Sequence, residues 1–256
     1  MPAGLRALRH RDFRLFWSGQ LVSLIGTWMQ SVGQSWLVLE LTNSPFRLGL
    51  IGALQFGPIL LFSFLPARYA TDLVQQVDWP GGTAADVWTF VTYAFLHGDW
   101  MHLGINCIWL LAFGSAVAWR FGTVRFLTFS ALCAAAGAAL HLVFHWGQVV
   151  PVIGASAALS GHMAAAIRFM FQPGAPLGLF RVGGNAAFKV PAHGLGESLK
   201  DRRVVMFLLV WFGINIATGV VSSVGDGETI AWQAHIGGFL AGLMLFPLFD
   251  PVRSRG

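Results

Sequence analysis

The sequence predicts an all-α polytopic transmembrane protein, a bundle of six or seven hydrophobic helices. Three observations carry that expectation. Hydrophobic residues make up 55% of the 256-residue chain and charged residues only 11%, against roughly 25% charged in an average soluble domain. Apolar runs close to the ~20 residues that cross a ~30 Å hydrocarbon layer as a helix recur along the chain. Lys and Arg fall mostly between those runs. A soluble fold could not hide this much apolar surface, because a folded domain must cover itself largely with polar groups. The net charge of +5 would suggest nucleic acid in a soluble protein. Here the basic residues mark loops on the cytoplasmic face, so the expected surroundings are a lipid bilayer and no nucleic acid.

Seven stretches qualify or nearly qualify as spans: about 15–39, 47–65, 101–118, 123–146, 154–171, 204–223 and 230–249. The first is the most polar, with Gln20, Gln30 and Gln34. It begins near Leu15 and is too long for a signal-peptide core, so it reads as retained. The semi-polar stretch 66–100 holds Trp79, Trp88 and Trp100, which suits a membrane interface. The loop 172–203 carries Arg181, Lys189, Lys200, Arg202 and Arg203 and is expected in the cytoplasm, as are the turn bracketed by Arg120 and Arg125 and the tail with Arg253 and Arg255. Arg6, Arg9, Arg11 and Arg14 argue for an N-terminus on that same side. An odd number of crossings forbids both ends being inside. The first segment is expected to yield, by lying at the interface or by inserting with its N-terminus outside.

The spans contain almost no acids, and no charged residue occurs from Phe126 to Ile167. Coupled transporters use buried carboxylates as relays, so transport is disfavoured and histidine is the titratable type left in the apolar layer. Three motifs stand out: HLGIN (His102 to Asn106), GASAALSG (Gly154 to Gly161) and AHIGGFLAG (Ala234 to Gly242). Ser156 lies near a helix start among small residues, where free N–H groups can face a developing oxyanion. Taken alone, it is equally a small helix-packing serine. His235 opens the last span, and a neutral imidazole there can take a proton from a serine hydroxyl and return it to a leaving amine. With no Asp or Glu near it in sequence, a Ser–His dyad is expected, its imidazole held by packing. Gly238 and Gly242 have small-xxx-small spacing, which lets the helix of His235 press on the helix of Ser156, and Gly154 is expected to serve close packing as well. His102 and Asn106, four apart, share a helix face and can offer two donors to one cavity, or else two interhelical hydrogen bonds. His141 and His145 have metal-ligand spacing, but HLVFH lacks an intervening Glu and a third ligand, so no metal is expected. Cys107 and Cys133 lie in apolar runs and read as inert core residues.

The strings WTFVTYAFLHGDWMHLGINCIWLLAFG, VIGASAALSGHMAA and AWQAHIGGFLAGL, in this order and spacing, resemble the rhomboid family of intramembrane serine proteases over about residues 65–251. The resemblance implies a rhomboid-type bundle, Ser156 as nucleophile, His235 as base, and His102 and Asn106 as oxyanion donors beside the Ser156 N–H. It implies transmembrane protein substrates, no cofactor and a multi-pass location, with a bacterial inner membrane expected. The chain departs from the family pattern where Thr89 follows Trp88, where Ala157 follows the serine, and where Ser160 stands at a position often aromatic. Residues 1–64 resemble instead the first two helices of a major facilitator superfamily exporter. The expected organisation is therefore an exporter-like fragment (1–64), a protease core (65–251) and a short cytoplasmic tail (252–256). Two other classes stay open at this point: a catalytically inactive rhomboid-like protein that binds helices, and a transporter remnant.

Overall fold

The computed structural model describes residue 29 and residues 32–70, 78–177, 184–224 and 230–252. The expectations for most of the first segment, for Arg181 and for the Arg253–Arg255 tail therefore fall outside the described residues. The chain divides after Gly57 into two units. The first contributes helical residues 32–42 and the opening turns of α1, Pro45–Phe62.

The second unit holds the rest of the bundle: α2 (Gly82–Thr92), α3 (Trp100–Phe121), α4 (Thr123–Phe144), α5 (Ser156–Ala166), α6 (Arg202–Val224) and α7 (Trp232–Phe249). α1, α3, α4, α6 and α7 are each long and apolar enough to cross a membrane, α6 over Arg202–Gly219. With no water in the hydrocarbon layer, a helix is the solution that satisfies every backbone group within one segment. The chain is thus an integral, multi-pass, all-α membrane protein.

α5 differs from the 154–171 span expected of it. It has 11 residues, about 16 Å at the helical rise, too short to cross alone. The chain leaves the helix at Ala166 and continues in turns to Leu177, with Arg168 donating to the His193 carbonyl at 2.9 Å. Every residue from Ala157 to Ala166 is buried. A helix apolar all round belongs inside a bundle, and its Ala, Ser and Gly side chains let neighbours close on it from several sides. α4 and α7 do so. Cβ atoms built at Gly238 and Gly242 of α7 would collide with the Ala157 and Gly161 carbonyls of α5, and one at Gly237 would meet Ala136 of α4.

The 66–100 stretch is folded onto this core. Arg68 reaches Asp86 at 3.1 Å and the Pro80 and Gly82 carbonyls, each at 3.1 Å. Tyr69 Oη donates to the Asp86 carbonyl at 2.7 Å, and Trp88 Nε1 to that of Leu61 at 3.0 Å. Arg120, which with Arg125 brackets the turn at Gly122, is fully buried and paired with Asp250. The reason is that residues 184–190 fold back over the end of α3, and their Phe188 and Val190 carbonyls accept from the guanidinium.

Candidate active site

The approach to Ser156 is fixed by backbone contacts on both sides. Val152 and Phe64 exchange N–H···O bonds at 2.8 and 3.2 Å, and the Gly154 N–H donates to the Tyr93 carbonyl at 2.9 Å. Tyr93 is itself buried, its Oη donating to the Ala134 carbonyl at 2.8 Å. Gly154 sits at φ +109, a left-handed conformation that glycine takes without penalty. A side chain there would run into His102 Nε2 and approach Asn106 Nδ2. Gly154 lies in the turn before α5, not in a helix, and its close approach is to these side chains. It leaves room for two side chains beside the serine. The turn ends at Ala155, and Ser156 is the first residue of α5.

His235 lies in the first turn of α7. Gly238, three residues on, presses against Ala157, the neighbour of Ser156. This glycine contact brings the two side chains together: His235 Nε2 stands 2.8 Å from Ser156 Oγ. Both residues are half-buried.

The second imidazole nitrogen is not held by packing alone. His235 Nδ1 lies 2.6 Å from Oδ1 of Asn215, a buried residue of α6, and Asn215 Nδ2 donates to the Trp211 carbonyl at 2.8 Å. Trp211 in turn stacks on Phe239 of α7, with centroids 4.7 Å apart. Sequence reasoning passed over Asn215 because only carboxylates near His235 in the chain were considered. The available signal was an amide in the charge-free run 204–225.

α3 carries the remaining pair. Asp99 caps it, accepting from the His102 N–H at 2.7 Å, as short polar side chains do at helix starts. The Gly98 N–H points at His102 Nδ1 over a long 3.5 Å. A donor at Nδ1 places the ring proton on Nε2, the atom beside Gly154. Asn106 is buried and uses one Nδ2 hydrogen on the His102 carbonyl at 3.0 Å, leaving the other free. His97 lies edge-on to His102 with centroids 5.1 Å apart. Burial, with the neighbouring His102 adding to it, holds the His97 pKa below its ordinary value.

The other histidines stand apart from this cluster. His162 is buried, hydrogen-bonded to Ser130 Oγ at 2.8 Å and stacked on Phe126. His141 and His145 have ring centroids 4.3 Å apart. Among the described residues, no three His, Cys, Asp or Glu side chains gather in a metal-binding group. Ser160 turns back to donate to the Ser156 carbonyl at 2.7 Å. Both cysteines are free thiols; Cys133 is buried against Gly161, whereas Cys107 is exposed rather than in the core, because its face of α3 points away from the bundle.

These features define a class: a membrane-embedded helical bundle with a Ser–His pair at the start of a short central helix. The rhomboid domain family model matches residues 84–250, and the chain belongs to the rhomboid family. A second model, transmembrane secretion effector, matches residues 3–78. Among curated proteins the chain is similar to rhomboid-like protease 3 of Toxoplasma gondii, 25% identical over 188 residues, covering 73% of this chain and 61% of that protein. It is also similar to rhomboid protease GlpG of Yersinia pseudotuberculosis, 24% identical over 176 residues, covering 68% of this chain and 52% of that protein. The chain thus spans between about half and three-fifths of the length of these relatives.

Proposed function

We propose that this chain is an intramembrane serine endopeptidase that cleaves transmembrane segments of other membrane proteins with a Ser156–His235 dyad. The observation that carries the reading is the 2.8 Å contact between His235 Nε2 and Ser156 Oγ, within hydrogen-bond reach for a nucleophile and its base. Ser156 Oγ attacks the scissile carbonyl carbon while its proton passes to Nε2. The tetrahedral oxyanion forms beside the Ser156 N–H at the α5 N-terminus, where helix N–H groups lack internal partners. Collapse breaks the C–N bond, and Nε2 returns the proton to the leaving amine. A water then repeats the sequence on the acyl ester, giving its proton to Nε2 and releasing the carboxylate product and free serine. The chemistry needs no cofactor. A substrate helix must unwind to expose a peptide bond, so weakly helical, small-residue segments are the favoured targets. A bacterial inner membrane is the proposed location, tested by whether the tagged protein sediments with inner-membrane markers on a density gradient.

The test uses the purified full-length protein in detergent, a fluorophosphonate probe and a model transmembrane substrate. Mass spectrometry should find the probe on Ser156, and Ser156→Ala should neither label nor cleave. Labelling elsewhere, or cleavage at the wild-type rate by Ser156→Ala, overturns the proposal.

His102 and Asn106 are proposed as the side-chain oxyanion donors. Losing one such donor lowers kcat by about 10²–10³-fold. His102→Ala and Asn106→Ala are each expected in that range, with KM little changed because the charge they face exists only in the transition state. An unchanged kcat in the double variant would show that both residues only support the turn at Gly154.

A further inference from the structure

We infer that Asn215 is a positioning residue for catalysis, the third member of a Ser156–His235–Asn215 chain. The inference rests on the protease reading above, and it follows from which atoms can donate. The Trp211 carbonyl only accepts, so the Asn215 atom 2.8 Å from it is the amide nitrogen. That orientation turns Oδ1 toward His235, 2.6 Å from Nδ1. Oδ1 also only accepts, so Nδ1 carries the ring proton. Nε2 is then left with its lone pair facing the Ser156 hydroxyl at 2.8 Å, the tautomer a general base requires. A backbone carbonyl of α6 thus sets, through one amide, the protonation of a base on α7 and its aim at a hydroxyl on α5.

Packing holds the relay in register. Trp211 lies one turn before Asn215 on α6, and Phe239 one turn after His235 on α7. Their rings stack at 4.7 Å with planes inclined by 25°. The choice of an amide suits the location. An ionised carboxylate in this position would be costly inside a membrane bundle, and α6 carries no charged residue from Val204 to Val224. Asparagine supplies the acceptor without the charge, as in the Cys-His-Asn arrangement of some soluble proteases.

The test compares wild type, Asn215→Leu and Asn215→Asp, with kcat and KM for a transmembrane model substrate in detergent. Rates are normalised to active sites titrated with the fluorophosphonate probe, so that any unfolded fraction is not counted. Leucine keeps the approximate volume and removes the acceptor. Losing the hydrogen-bond partner that orients a metal-bound histidine costs about 10–100-fold in activity, and the same scale is expected for a histidine oriented through Nδ1 here. Asn215→Leu is expected to lose that much in kcat, with KM within about twofold of wild type and the labelling rate reduced by a similar factor. Aspartate keeps an acceptor for Nδ1 and, as the neutral acid, also a donor for the Trp211 carbonyl. Asn215→Asp should therefore recover most of the loss. A kcat per active site in Asn215→Leu within about twofold of wild type, or equal losses in the two variants, overturns the inference and leaves the dyad standing. A wild type that neither labels nor cleaves overturns the protease reading and this inference with it, a result seen without any variant.

Discussion

Alanine at either Ser156 or His235 is expected to bring intramembrane cleavage close to the uncatalysed background, a loss on the order of 10⁵–10⁶-fold in kcat, and the double variant should lose little more. The two side chains are one device, because the hydroxyl is a poor nucleophile until Nε2, 2.8 Å away, accepts its proton. Removing the base leaves an unactivated alcohol, and removing the alcohol leaves a base with nothing to activate. Fold should survive both changes. Neither side chain supports the closest helix contacts, which run through Gly238 and Ala157 and through Gly242 and Gly161. Circular dichroism and thermal unfolding in detergent should therefore be close to wild type. Additive losses in the double variant, or substantial cleavage by either single one, would remove the dyad assignment.

The Ser156–His235 pairing was legible in the sequence because its signals are local. GASAALSG and AHIGGFLAG each join a hydroxyl or an imidazole to small residues that permit close approach, and HLGIN puts two polar side chains on one helix face. What lies between the motifs was harder to read. Ser156 and His235 are 79 residues apart, and only tertiary packing brings α6 beside them. Asn215 is a lone amide in an apolar run, a pattern that usually means an interhelical hydrogen bond. Its partner 20 residues later leaves no periodic trace. The same limit explains α5. Residues 154–171 are apolar enough to read as a span, yet hydropathy cannot separate a lipid-facing helix from a short one enclosed by protein. The burial of Arg120 was hidden for the converse reason. A cation at the end of an apolar run usually marks a loop, and its burial depends on the return of residues 184–190 and on Asp250, 130 residues away.

Arg120→Ala is expected to lower the unfolding free energy by about 3–5 kcal/mol, the range for breaking a buried ion pair from one side. The arginine side chain is fully buried, and that of Asp250 is 7% exposed. Nε and Nη2 each donate to a carboxylate oxygen of Asp250 at 2.8 Å, and Nη1 donates to the Phe188 and Val190 carbonyls at 2.9 and 2.7 Å. The guanidinium also lies 4.5 Å from the Phe169 ring centroid. It therefore ties the end of α3, the loop of residues 184–190 and the residue after α7 into one knot. Alanine leaves a carboxylate and two carbonyls buried without their donor, and that desolvation accounts for most of the expected loss. Replacing the pair together, as Arg120→Met with Asp250→Leu, removes the stranded charge and should recover a large part of it. Asp250 follows the 18-residue α7, whose first turn holds His235, so the knot lies about 22 Å along that helix from the base. The kcat per titrated active site should accordingly stay near wild type in Arg120→Ala while the thermal midpoint in detergent falls. A midpoint unchanged in Arg120→Ala, or a double variant no more stable than the single one, would mean that the knot adds little to the fold.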